Sequence, residues 1–566
     1  MPESKFGPHR LLSILFFAVF ALLLAVSISS RPAMVFLYAH TSFYLIAALC
    51  ALWVYSVTSS VRLSGFRLPD FFRTYYTGIM LSLGMTVIVF VSVPVCFKML
   101  NDETNLLAVS QSMFYFRDAF RISMADNHHG FLYPIVNEIP IRPLLYPFAT
   151  FLLHVITGYD WHNPFVLNFF TMFIFLCGIY IVSTYHTDTW TSCAAVILVC
   201  SYPIFTIYGT SGSYDLFSAL FFFLSMTFLY RFLDSPDDTG FTLLWTTLLM
   251  FANIRYESII FFVLIIAVVL LSHGTRLLRK NFYIYTLTPL LMLPYVWQRL
   301  LSIGEYENPP GVSLFSIKAF FIHIRILINN FLNLDFFLPY NGILNLAVVL
   351  CAGFLAALIL QKKIIIPKKL FLFWGTFISC ITIMMAIFLS HYLGLYDNPN
   401  QARLFLCFSI TCALAPVLVK CAAPFAMSGR KLFSLSVILF MLYHPVASKH
   451  EFINTLLTIR IQNQAKQVLK KYRPQKVLIL SAWSGQYSAR NYSSLSIQYA
   501  NSHISGIRKK YRNHRYEKII IFQEIDMVTG TPRYSNQVLA PDFKTSIINE
   551  TAIMPDEILR ISEADI

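Results

Sequence analysis

Apolar runs recur along most of the chain; "TGIMLSLGMTVIVFVSVPVCF" (77–97) and "SIIFFVLIIAVVLLS" (258–272) are typical. About 20 apolar residues in a helix rising 1.5 Å per residue cover a hydrocarbon core of about 30 Å. Inside that core a backbone satisfies its own polar groups only as a helix or a closed barrel. The repeated runs therefore restrict the chain to a bundle of membrane-spanning helices. Runs near 11–29, 34–57, 77–97, 164–183, 190–209, 214–232, 240–254, 257–273, 283–300, 343–361, 370–391, 403–420 and 431–447 predict about thirteen spans. Composition agrees, with 57% hydrophobic and 13% charged residues, where a soluble domain carries about 25% charged.

Charge orders these spans. A net charge of +15 would suit a nucleic-acid binder, but in a membrane chain Lys and Arg collect in cytoplasmic loops and need no nucleic-acid partner. Lys5 and Arg10 precede the first run, and Arg62, Arg67 and Arg73 follow the second. Arg276, Arg279, Lys280, then Lys362, Lys363, Lys368, Lys369, then Arg430 and Lys431 fall on the same side. The positive-inside rule makes that side, with the N-terminus, cytoplasmic. Loops 98–163 and 301–342 and everything after 448 then face outward. The first run is long and lacks an A-x-A cleavage site, so it is read as an uncleaved span of a multi-pass protein, with a bacterial inner membrane as the expected location. All ten cysteines lie in or beside apolar runs, which implies no disulfide framework.

Residues 448–566 change character. "HEFINTLLTIRIQNQAKQVLKKY" and "SHISGIRKKYRNH" read as helices, and "KVLIL" and "KIIIFQEI" as buried strands. A small extracytoplasmic α/β domain is expected, serving as a lid or acceptor-binding accessory. No Gly-rich phosphate loop follows its strands, and "SAWSGQYS" is too unspecific for a nucleotide site. Three parts result: 1–76 with two extra N-terminal spans, 77–447 as the membrane core with its outer loops, and 448–566 as the soluble domain.

The first outer loop opens on two adjacent carboxylates, Asp102 and Glu103. Behind them Leu106, Val109, Met113, Phe116 and Phe120 recur at spacings of 3 and 4, which predicts an amphipathic helix lying on the membrane surface. A turn-rich stretch, "MADNHHGFLYPIVNEIPIRPLLYPF", leads to an apolar segment of roughly 16 residues, short for a span, that suits a surface or re-entrant helix.

This loop resembles the first outer loop of the GT-C superfamily of polyprenyl-phosphate-sugar glycosyltransferases, in the style of protein O-mannosyltransferases and the lipid A aminoarabinose transferase family. "NDET", "IRPLLYPFATFLLHVITGY" and "NPFVLNFFTMF" carry the likeness. "GTSGSYDLFSALFFFLSMTFLY" resembles the family helix that begins with an outer-face Asp, here Asp215. "LLMFANIRYESIIFFVLIIAVVLL" resembles the hairpin with a basic residue at its outer turn, here Arg255, and "DNPNQARLFLCFSI" resembles the late Arg-Tyr element, here Arg403. The likeness spans roughly 77–420 and departs from the family where Leu404 stands for the Tyr and Arg142-Pro143-Leu144 for a basic-Pro-Pro.

The resemblance implies an all-α GT-C-like membrane enzyme that moves a hexosyl or pentosyl unit from a polyprenyl phosphate to a glycan, lipid or protein, with inversion. Asp102 would be the base, with Glu103 beside it in a catalytic or metal role, and Glu138 could join them. Arg142, Asp215, Arg255 and Arg403 would bind substrate. No cofactor is certain, and a divalent metal stays open. Each residue has a plainer reading. Asp102 and Glu103 could cap the helix, and Asp215 could cap its own. Arg142 and Arg403 could anchor at the interface, and Arg255 could pair locally with Glu257. His128-His129 in a loop read as solvated rather than metal-bound. Two other functions compete: an O-antigen ligase or polymerase using Lys318, His323 and Arg325 of the 301–342 loop, and a secondary transporter or lipid flippase. The latter would need repeats and ionisable groups at mid-membrane, which the sequence lacks.

Overall fold

The computed structural model describes residues 8–274, 282–302, 313–335, 340–361, 367–422, 428–448 and 457–566. Lys5, Arg276, Arg279, Lys280, Lys362 and Lys363, part of the 301–342 loop and the start of the expected 450–472 helix lie outside the described residues. The chain divides into two compact units: Met1–Val95 with Ile141–Tyr146 and Phe165–Phe452, and Cys96–Pro140 with Pro147–Pro164 and Ile453–Ile566.

The first unit is helical. Among the described residues nine helices are long and apolar enough to cross a membrane: Leu12–Ser29, Arg31–Leu63, Leu68–Ser92, Asn163–His186, Asp215–Asp234, Gly342–Leu360, Lys368–Ser390, Asn400–Cys421 and Gly429–Ser448. The protein is thus an integral, multi-pass membrane protein. The expected span at 190–209 is a pair, Thr189–Cys200 and Pro203–Gly209, bent by 73°; Pro203 cannot donate to the preceding turn and opens the second piece. The runs at 240–254 and 257–273 form helices of 15 and 16 residues, about 22–24 Å long and short of the full core. The run at 283–300 divides into Phe282–Leu291 and Leu293–Ser302. Helix 215–234 is the most enclosed, with 67% of its apolar window buried against 11% for 12–29. A side chain at its end therefore meets protein rather than lipid. Gly78 lets helix 68–92 approach helix 163–186 closely, since a Cβ there would overlap the Tyr180 ring.

The second unit holds a seven-stranded sheet. Its strands are β1 (Arg121–His128), β2 (Phe131–Glu138), β3 (Val477–Ser481), β4 (Ser493–Leu495), β5 (Lys518–Asp526), β6 (Lys544–Met554) and β7 (Glu557–Asp565), in the order β2-β1-β4-β3-β5-β7-β6. The central β4-β3-β5 pairs are parallel and the flanking hairpins antiparallel. Strand alternation sets the two faces. Val477, Ile479, Ile520 and Phe522 pack with Ile461, Ala465, Val468 and Leu469 of helix Leu457–Leu469. Leu478, Leu480, Ile519 and Ile521 pack with Ile507 of helix Ile504–Arg512. The helices and strands expected at 457–526 are therefore present.

Residues 96–140 and 147–164 of the first outer loop share a compact unit with the C-terminal region. Hairpin β1–β2 extends the C-terminal sheet through the Ala125–Ser494 pairing. Its two-residue turn, His129-Gly130, has φ of 53° and 89°, the left-handed pair of a type I′ turn. Pro134 is accommodated because β2 is the sheet edge. Helix Leu100–Phe116 is not a surface helix. Leu106, Val109 and Met113 of the expected stripe are buried, but so are Leu107, Ala108, Ser110 and Gln111 on its other sides. Gln111 donates to the Ser488 carbonyl at 3.2 Å, so the helix is a core element of the α/β unit.

Candidate active site

In the first unit the segment 210–214 is folded by buried hydrogen bonds before helix 215–234 starts. Asn168 donates to the carbonyls of Ser211 at 2.7 Å and Ser213 at 2.9 Å, and Tyr146 donates to that of Gly212 at 3.0 Å. This turn presents Asp215 as the first residue of the helix. Tyr214, not Asp215, holds the cap position and makes no side-chain cap bond, so the capping reading of Asp215 does not hold.

The Asp215 carboxylate, 1% exposed, instead collects two arginines distant in sequence. Arg255 Nη1 donates to Oδ1 at 2.8 Å and Arg403 Nη1 to Oδ2 at 3.3 Å. Arg255 Nε donates to Glu257 at 2.5 Å, and Arg403 Nε donates to the Asn400 carbonyl at 3.1 Å. The expected Arg255–Glu257 pair thus exists, as one edge of a larger cluster. The Arg255 guanidinium also lies 5.3 Å from the ring centres of Tyr214 and Phe388. Each buried ion costs several kcal/mol in lost hydration, which its partners in the cluster offset. A narrow cavity of about 20 Å³ opens at this cluster, enough for about one water; Phe222, Phe261, Met384 and Phe388 are among its apolar lining.

Arg142 belongs to the same unit. Leu145 N–H donates to the Asn253 carbonyl at 3.1 Å and Gln298 donates to that of Ile141 at 2.5 Å, which pins 141–145 to the 253–257 turn. Arg142 donates to the Tyr256 hydroxyl. Arg142 and Arg299 stand 5.5 and 4.7 Å from the Tyr256 ring centre. Sequence analysis did not single out Tyr256, Arg299 or His391. Burial lowers the His391 imidazole pKa, Glu257 opposes the shift, and Arg142 and His323 reinforce it. Four arginines against two carboxylates leave this region of the unit cationic. By contrast, His323 is buried with Nδ1 on the Leu389 carbonyl at 2.9 Å, and Lys318 and Arg325 are exposed.

The remaining expected residues lie in the second unit. Asp102 is half-buried in the first turn of helix 100–116. Glu103 is fully buried and accepts the Met99 N–H at 2.8 Å, so it caps the helix. Lys98 is fully buried as well; burial pulls its ammonium pKa down, while Cys96 and Glu103 oppose this. Glu138 ends β2 and pairs with Arg121 directly across the hairpin, a cross-strand pair. Among the described residues no three His, Cys, Asp or Glu side chains gather as a metal-ligand group. His128 and His129 are exposed at the hairpin turn, as solvated histidines would be.

No family model and no curated protein matches the sequence. Among solved structures, the chain is similar to ArnT from Cupriavidus metallidurans bound to undecaprenyl phosphate, with TM-score 0.51 and 11% identity over 85% of this chain and 97% of that one. The apo state of the same protein gives TM-score 0.43 and 12% identity over the same shares. The apo Archaeoglobus fulgidus oligosaccharyltransferase gives 0.41 and 8% over 79% and 69%. At such identity the first likeness speaks for the fold alone: the chain shares the architecture of that ArnT structure.

Proposed function

We propose that the chain is a glycosyltransferase that moves a sugar from a polyprenyl phosphate to a glycan, lipid or protein of the cell envelope at the outer face of the membrane. The observation that carries this reading is the convergence of Arg255 and Arg403 on Asp215 at the end of the most enclosed membrane helix. A donor of this kind brings its own leaving group, so no nucleotide loop is needed; the chemistry needs cations for the departing phosphate and apolar surface for the prenyl chain. Arg255 and Arg403 would take the phosphate oxygens, with Asp215 and Glu257 keeping the guanidinium groups oriented. Arg142 and the Phe222, Phe261 and Phe388 rings would supply further charge and apolar lining. The ArnT structure similar in fold was solved with undecaprenyl phosphate, which supports the donor class.

In the proposed step the acceptor oxygen bonds to the anomeric carbon as its O–H proton passes to a carboxylate base, the role that the sequence resemblance implies for Asp102. The carbon–oxygen bond to phosphate breaks with its electron pair on the phosphate, and one displacement inverts the centre. The reading is tested by titrating the purified protein with undecaprenyl phosphate. Arg403→Gln keeps the Arg255–Asp215 pair yet removes one charge-assisted bond of roughly 1.5–3 kcal/mol, so affinity falls at least about tenfold. Wild-type affinity in that variant would contradict the assignment.

A further inference from the structure

The α/β unit carries a second cationic site that the transfer reaction does not use. At the amino ends of β3 and β5 and the turn of hairpin β1–β2, a cleft of about 420 Å³ is lined by His128, His129, Gln475, Lys476, His514 and Arg515. Its volume lies within the roughly 300–1,000 Å³ of small-ligand sites, and its lining holds no carboxylate. The nearest acid beneath it is Asp126, already committed. Asp126 accepts from Lys510 at 2.9 Å, Arg515 at 3.0 Å and Ser493 at 3.0 Å, and its side chain is 13% exposed. Arg515 is further fixed on the Asn127 carbonyl, and Lys476 lies 3.4 Å from the His514 carbonyl. Glu517 faces Lys476 at 3.6 Å with both side chains well exposed, a pair of little strength.

We infer that this cleft binds a phosphate-bearing ligand, either a phosphorylated saccharide or a lipid headgroup. The cations Lys476, Lys510 and Arg515 outnumber the carboxylates Asp126 and Glu517 by one charge when the histidines are neutral. Burial, Arg515, His129 and Lys510 hold the His128 imidazole below its ordinary value, and Asp126 opposes them. A bound phosphate group offsets that repulsion by placing negative charge beside the imidazole.

The test uses the full chain in neutral phosphatidylcholine nanodiscs, titrated with inorganic pyrophosphate near pH 8, and binding is expected. The double variant Lys476→Gln/His514→Asn changes a half-buried residue with an accessible side chain and an exposed one, and Asn tolerates the left-handed backbone of His514 (φ 55°). It should weaken binding about tenfold or more while leaving undecaprenyl phosphate affinity unchanged, which separates this site from the donor site. Competition by hexose 6-phosphate or by glycerol 3-phosphate then names the glycan or the lipid headgroup as source. Pyrophosphate binding that is absent, equal in the variant, or displaced by neither competitor overturns the proposal.

Discussion

Two adjacent carboxylates have divided roles. Glu103 accepts the Met99 N–H beside the buried Lys98, whereas Asp102 on the same turn keeps part of its side chain accessible. Glu103→Gln should therefore lower stability by roughly 1–3 kcal/mol. Asp102→Asn should leave thermal unfolding near wild type while transfer falls by at least about a hundredfold, the loss expected for a general base. Paired melting curves and turnover with the lipid donor check both; full turnover in Asp102→Asn would remove its role. Sequence alone placed both residues at the mouth of a helix and could not divide them. The difference is which one is buried, and burial here comes with contacts distant in sequence, such as Gln462 donating to the Phe97 carbonyl from 365 residues away. Asp215, Arg255 and Arg403 were legible as candidates from resemblance, but their convergence on one carboxylate was not. Tyr256 and Arg299 gave no signal, because an aromatic next to a span is ordinary.

At the scale of elements, hydrophobic period found what it should. Strands β3 and β5 were legible as short buried runs, and helix 457–469 by its spacing. Hairpin β1–β2 was missed because "RISMADNH" and "FLYPIVNE" are semi-polar, Pro134 argues against a strand, and His-Gly replaces the usual Asn-Gly turn. It docks through charge, with Asp126 at its centre. Burial pushes the Asp126 carboxyl up, but Lys510, Arg515 and Ser493 outweigh it and hold it below the usual range. A carboxylate lower in the folded than in the unfolded state, near 3.9, contributes stability above about pH 4 that is lost as pH falls through the folded value. Asp126→Asn should lower stability at neutral pH and flatten the acid-side decline, read by unfolding between about pH 3 and pH 7. An unchanged acid profile would show that the carboxylate does not tie the hairpin down.

For the whole molecule, one sheet built from residues 121–138 and 477–565 requires both segments on the same side of the membrane. An even number of crossings must then separate them. Among the described residues six long helices lie between, so crossings contributed by the bent pair and the shorter elements 238–252, 258–273 and 282–302 must together be even in number. Length alone hid this, because a short helix among neighbours does not need the full apolar thickness that a lone one does. Cysteines at the exposed positions Tyr133 and Val528 should both react with an impermeant maleimide from outside the cell; labelling from opposite sides would break the sheet assignment.

The most direct test of the account is mass spectrometry of the polyprenyl-phosphate pool and of the envelope glycans, with and without the gene. The account predicts that one sugar mass leaves the glycans and appears on polyprenyl phosphate when the gene is absent. Unchanged masses in both pools would contradict it.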